Sequence, residues 1–359
     1  MSKTRFHGPR VTLSEVADDA EVSTTTASVI LSGREAGLSQ FAPETVQRVR
    51  RSAERLGYSA NLFASGLPSG GSPFFAMLIH NIGIEQEAGD WYMWGFEGDL
   101  LAGVIRTAAE AGAYPIVIRA GHDTNGTASQ PVERIIAGGV SGVIARTPGV
   151  TIEKTLAARL RQGQPVVIVF PDCLDNWPTN AIDVDNQAAG RTAADLLARQ
   201  GRKQWALIVP ESALESQRLR QRGFTAAAAE HGASVSVIEV PAAECANKEA
   251  ARGYLSARLR GQPFDGIFGA ESVVSIGVLL AALGVGLRVG TDFNLVGCDC
   301  APWQNPPLPR ITCVDISWRE VGTKAVQTLL KAVDTGKAHF DTTLLKPRVV
   351  AADTCPVTE

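Results

Sequence analysis

From Phe74 onward, short apolar runs alternate with helical patterns, and this alternation restricts the fold more than any other feature of the chain. FFAMLIH is followed by a helical pattern over Asp99 to Gly112, PIVIR by one over Pro131 to Ala137, and GVIAR by one over Ile152 to Gln162; PVVIVF closes the series. After AIDVD the rhythm restarts with Asn186 to Gln200, QWALIV, Arg222 to His231 and SVSVIEV. It continues through Glu249 to Arg260, DGIFG, Val273 to Leu283 and FNLVGCD, and a last helical pattern lies near Arg319 to Thr335. Short, mostly apolar runs without strict polar alternation suit strands buried on both faces. Such strands form parallel sheets covered by helices on each side. Two series predict two lobes, with a ligand crevice outside the carboxyl ends of the strands.

Residues Val11 to Leu67 follow another pattern. Leu13, Val16, Ala17 and Ala20 share one helical face, and Val22, Ala27, Ile30 and Leu31 supply the surface opposite. Ser23 is placed to cap the second helix, which then presents Thr24, Thr25, Thr26 and Ser28 outward. Hydroxyls at such positions reach base edges and phosphates when a helix lies in a major groove. A small helical domain with a threonine-rich surface would share this pattern. Pro43, Glu44 and an apolar stripe of Val46, Val49, Ala53 and Leu56 predict a third helix ended by Gly57. Asn61 to Leu67 is too short for a helix to stand alone, and Gly66 weakens it further.

These residues resemble the LacI/GalR family of bacterial transcriptional regulators. The likeness rests on Val11, Thr12, Leu13, Val16, Ala17, Ala20, Val22, Ser23, Thr26 and Ser28, and again on Leu56, Tyr58, Asn61, Ala64 and Leu67. It implies a fold class of α/β type: an all-α helix-turn-helix headpiece, then a two-lobed periplasmic-binding-protein-like core of doubly wound parallel sheets. The expected boundaries are 1–58 for the headpiece and 59–72 for a hinge helix and linker. The N-terminal lobe takes 73–182 with 316–340, and the C-terminal lobe 183–315 with 341–359. The implied DNA contacts are Thr12, Ser23, Thr24, Thr25, Thr26, Ser28, Val29, Asn61, Ala64 and Leu67. Leu67 matches the wedge pushed into the minor groove, although a plain linker would also fit there. The chain departs from the family at Glu21, where glycine is usual and a left-handed residue costs roughly 1–2 kcal/mol. Val29 stands where many members carry a guanine-reading arginine, and Ala60 replaces the hinge proline.

In the core, the same resemblance implies an effector site of Asp172, Arg220, Glu271, Asp299 and Trp318. Carboxylates, a planar arginine fork and an aromatic platform suit polyol recognition. Each could instead be a structural ion pair or a core aromatic. Glu271-Ser272 replaces the usual Asn-Asp, and a long crossover loop over Gly83 to Gly95 holds Trp91, Tyr92 and Trp94.

Composition is compatible with this organisation. The net charge of −3 gives no global basic signature, so DNA affinity depends on local groups: Lys3, Arg5, Arg10, Arg48, Arg50, Arg51 and Arg55. Six scattered cysteines without a C-x-x-C pair suit reduced thiols in the cytoplasm. No secretory signal or membrane span is evident, and no nucleophile elbow, P-loop or H-E-x-x-H motif points to an enzyme. No cofactor or metal is expected. The expected partners are double-stranded operator DNA, a small-molecule effector and a second copy in a homodimer, with no membrane. A sugar is the expected effector, with a purine or nucleoside as the alternative. A solute receptor or enzyme with an accessory helical segment is the reading from a different class.

Overall fold

The computed structural model describes residues 11–31, 38–58, 72–80, 91–120, 139–146, 150–171, 180–211, 214–246, 248–260, 264–299 and 308–356. The chain divides into two compact units, Met1–Pro73 and Phe74–Glu359.

In the first unit, α1 (Leu13–Asp19) opens on a capping box. The Glu15 amide donates to Thr12 Oγ1 at 3.3 Å, and the Thr12 amide donates to Glu15 Oε2 at 2.6 Å. Helix α2 (Thr24–Leu31) is capped by Ser23, whose Oγ accepts from the Thr26 amide at 3.1 Å. Helix α3 (Pro43–Leu56) begins on Pro43 and ends on Gly57 in the left-handed conformation. Val16, Ala17, Ala20, Ala27, Ile30, Val49 and Ala53 form the buried centre. Two α3 side chains, Ser52 and Arg55, bind Asp19 of α1, and Arg48 Nε donates to the Ala20 carbonyl at 2.8 Å, satisfying an exposed helix end.

The turn between α1 and α2 places Glu21 at φ 53°, the left-handed region that disfavours a Cβ. The Val22 amide closes this turn on the Ala17 carbonyl at 2.9 Å. Glu21→Gly is therefore expected to stabilise the unit by roughly 1 kcal/mol after the added flexibility of glycine is subtracted. Hydrogen exchange of its core amides in the full chain should slow about fivefold; unchanged or faster exchange would refute the strain.

Among the described residues, the second unit holds two sheets of six strands each. The first contains β1 (Phe74–His80), β2 (Tyr114–Ala120), β3 (Val143–Arg146), β4 (Val166–Val169), β5 (Ala181–Val184) and β11 (Thr343–Leu345), in the order β11-β5-β4-β3-β1-β2. All its pairs are parallel, with Phe74 opposite Tyr114 and Val143 opposite Val166. The second contains β6 (Gln204–Pro210), β7 (Ser234–Val240), β8 (Gly266–Gly269), β9 (Asn294–Cys298), β10 (Thr312–Asp315) and β12 (Arg348–Val350). Its order is β12-β10-β9-β8-β6-β7, and β12 alone runs antiparallel. The central strands β3, β4, β8 and β9 are buried along their whole length and mostly apolar, with Arg146 ending β3 and Asn294 opening β9 as buried polar exceptions.

Helices α4 (Trp91–Glu110), α5 (Val150–Arg161) and α10 (Trp318–Thr335) cover the first sheet, and α6 (Asn186–Arg199), α7 (Glu215–Glu230), α8 (Lys248–Leu259) and α9 (Ser272–Gly284) cover the second. Each lobe uses a glycine at the crossing of two packed helices. A Cβ on Gly103 of α4 would lie 2.1 Å from the Arg319 carbonyl of α10, and one on Gly223 of α7 would lie 1.9 Å from the Gln187 carbonyl of α6. Only hydrogen fits at either contact.

Among the described residues the chain passes between the sheets three times, at β5 to α6, at β10 to α10, and at β11 to β12. The third passage differs from the sequence expectation that 341–359 lies wholly in the second lobe, because β11 pairs with β5. Three-residue strands carry too little pattern to be read. Helix α4 also starts at Trp91, inside the expected loop over 83–95, and α7 starts at Glu215, seven residues before the expected start at Arg222. Strand β10 had no counterpart among the sequence runs. The helix expected over 131–137 and the hinge over 59–72 lie outside the described residues, apart from Ser72. No helix among the described residues is long and apolar enough to cross a membrane.

Candidate functional site

The first unit exposes Thr24, Thr25 and Ser28 on one face of α2, while Ala27 and Ile30 hold the opposite face in the core. Thr26 is half-buried, and its hydroxyl lies 2.8 Å from Ser23 Oγ. Thr12, Ser23 and Thr26 thus spend their hydroxyls on helix ends, leaving three free-facing hydroxyl residues on α2. Val29 is half-buried beside them. Arg50 and Arg51 are exposed on α3, whereas Arg48 and Arg55 are engaged with α1. Asn61, Ala64 and Leu67 lie outside the described residues, as do Lys3, Arg5 and Arg10.

In the second unit Arg220, Asp299 and Trp318 are all buried; Trp318 is hydrogen-bonded to Asp299, and the Arg220 charge acts on the same carboxylate. Arg220, on α7, donates through Nε to Asn186 Oδ1 at 2.9 Å and through Nη1 to the Ala270 carbonyl at 2.9 Å. Asn186 begins α6 at the first passage between lobes, and Ala270 follows β8. Glu271 comes next in the chain, half-buried at the N-cap position of α9 without a side-chain capping bond. Asp299 follows β9, and its Oδ2 accepts from Trp318 Nε1 at 2.7 Å. Trp318 opens α10, which packs on the first lobe, so this bond ties the two lobes together. Asp172 lies outside the described residues.

Burial pushes the Asp299 carboxyl up to about 7, although the Trp318 hydrogen bond and the nearby Arg220 charge pull the other way. Asp315 and Glu271 add like charge and raise it further. The indole itself is packed from the first lobe. Its ring centroid lies 5.4 Å from Phe96 and 4.4 Å from Phe170, and the Arg146 guanidinium carbon sits 4.9 Å from it. Arg146 closes β3 and pairs with Glu97 of α4 at 2.9 Å, both buried. Burial raises the Glu97 carboxyl despite that partner.

Backbone strain collects at the same place. Phe170 (φ 51°), Asp299 (φ 60°) and Ser317 (φ 52°) all adopt the left-handed conformation, and all three adjoin Trp318. Each such residue costs about 1–3 kcal/mol and persists where the surroundings over-determine it. Chemically, this buried cluster combines two guanidinium groups and several carboxyl groups around an aromatic surface. Sequence reasoning did not single out Phe96, Glu97, Arg146, Phe170 or Asn186. Arg146 carried a usable sign, a charge closing the apolar run Val143-Ile144-Ala145 at a strand's carboxyl end.

Residues 182–355 match the family of periplasmic binding protein-like domains. The chain is 27% identical over 346 residues to the HTH-type transcriptional regulator GntR of Pseudomonas aeruginosa, covering 95% of this chain and 94% of that protein. Among solved structures, the lac repressor dimer bound to operator and the anti-inducer ONPF superposes with a TM-score of 0.77 at 21% identity, covering 97% of this chain and 100% of that one. The transcriptional regulator CelR in complex with cellobiose gives a TM-score of 0.62 at 20% identity, covering 96% and 100%. With its helix-turn-helix unit and two-lobed core, the chain is similar along nearly its whole length to HTH-type transcriptional regulators and shares the fold of the lac repressor.

Proposed function

We propose that this protein is a repressor whose affinity for operator DNA is set by a sugar bound between the two lobes, acting as a cytoplasmic homodimer and not as an enzyme. The observation that carries this reading is the buried Arg220–Asp299–Trp318 cluster, placed where the backbone is strained. A polyol hydroxyl can accept from Arg220 and donate to Asp299. Cellobiose in a structural neighbour supports a sugar over a nucleoside. A ligand hydroxyl that takes the place of Trp318 Nε1 at Asp299 Oδ2 breaks the bond that ties the lobes. Binding then shifts lobe orientation, and through the paired hinges it shifts DNA affinity, a coupling typically worth about 1–3 kcal/mol.

The test is fluorescence anisotropy of the full chain on DNA from its own upstream region, across a salt series, with individual sugars and nucleosides added. Specific binding that weakens steeply with salt and shifts with one sugar is the expected result. A shift with nucleosides alone would replace the sugar, and binding no tighter than to scrambled DNA would remove the regulator reading.

A further inference from the structure

The exposed face of α2 contains hydroxyl and methyl groups and nothing else that reads a base. Helix α2 has the sequence TTTASVIL, with Thr24, Thr25 and Ser28 exposed and Val29 half-buried at the margin. The Ser23 and Thr26 hydroxyls are occupied with each other and with the first turn of the helix. In a major groove, guanine is read by Arg or Lys, adenine by Asn or Gln, and cytosine by Asp or Glu. None of these residue types occurs on α2. What remains is a hydroxyl, which fits several base edges, and a methyl, which fits the 5-methyl group of thymine.

We propose that α2 selects its half-site through thymine methyl groups, met by the side-chain methyls of Thr24 and Thr25. This rests on the DNA-binding reading above and adds to it the base chemistry that α2 recognises. The exposed Arg50 and Arg51 of α3 suit phosphate contacts, which position the protein without reading sequence. The division of labour follows from the side chains: charge lies on α3, and apolar selection lies on α2.

The experiment starts with selection of duplexes from a randomised library by the full-length chain. Each thymine of the enriched half-site is then replaced singly by deoxyuridine, which lacks only the methyl, and each guanine by 7-deazaguanine, which lacks the N7 acceptor. Anisotropy should show about a fourfold loss for each thymine whose methyl is buried against the helix. The deazaguanine duplexes facing α2 should bind as the parent does. Thr24→Ser and Thr25→Ser keep the hydroxyl and remove the methyl, so the deoxyuridine penalty at the matching position should vanish in one of them. Deoxyuridine without effect throughout, or losses confined to deazaguanine, overturns the proposal while leaving DNA binding intact. A library with no enriched duplex overturns the DNA-binding reading and this inference together.

Discussion

Asp299→Asn is expected to make the core more stable at pH 8 while removing most of its sugar affinity. Burial raises the Asp299 carboxyl to about 7 in the folded chain, against roughly 3.9 for an unfolded aspartate. Between those values the folded state holds a proton that the unfolded state has released. Stability from this group is therefore fully present below about pH 4 and is lost as pH rises through 7. Above pH 7 the folded chain carries a desolvated carboxylate costing on the order of a few kcal/mol, partly offset by Arg220. Asparagine has no proton to lose, and its carbonyl can still accept from Trp318 Nε1. Calorimetry from pH 5 to pH 8 should show the variant gaining on the wild type by several degrees across the interval. Parallel curves would mean that Asp299 does not hold the proton. Sugar affinity should fall roughly 10- to 100-fold, the worth of a hydrogen bond to a charged group. A change that stabilises the fold while weakening binding marks a residue kept for its ligand and not for packing.

The parts of this molecule that could be read from its sequence are those where local chemistry decides the outcome. Thr12, Ser23, Pro43 and Gly57 mark helix ends because capping is a property of four or five consecutive residues. The buried strands β3, β4 and β9 announce themselves because a strand covered on both faces is predominantly apolar. Arg220, Asp299 and Trp318 were legible only through family resemblance; nothing in their own spacing says that 79 residues of chain bring Arg220 to Asp299. The β11–β5 pair was not legible, since three residues of half-exposed strand resemble any linker. Glu97 and Arg146 were missed for a related reason. Each is an ordinary surface residue until the fold buries both and pairs them under an indole ring. Sequence marks the strand ends, and the third dimension decides which strand ends meet.

Arg220→Lys should abolish the sugar response while leaving DNA affinity without sugar within about threefold, since the substitution changes no described DNA-facing group. Lysine keeps the charge, so the prediction depends on geometry. The guanidinium spans two carriers at once, Asn186 Oδ1 at the start of α6 and the Ala270 carbonyl after β8. A single ammonium cannot reproduce both bonds in one plane, and each buried acceptor left unmet costs about 1–3 kcal/mol. The backbone cannot shift to compensate, because Gly190 and Gly223 hold α6 and α7 at a separation that leaves no room for a Cβ. Arg220 also pulls the Asp299 carboxyl down, and a shorter lysine that holds its ammonium farther from Asp299 lets that carboxyl rise further. The lysine variant should then lose stability at pH 8, where Asp299→Asn gains it. In the double variant the two effects should not add, because the asparagine removes the carboxylate that Arg220 supports. Ligand affinity should fall roughly 10- to 100-fold in isothermal titration with the active sugar, the loss of a charge-assisted hydrogen bond. A variant that still responds at the parent sugar concentration would show that Arg220 braces the second lobe and never touches the ligand.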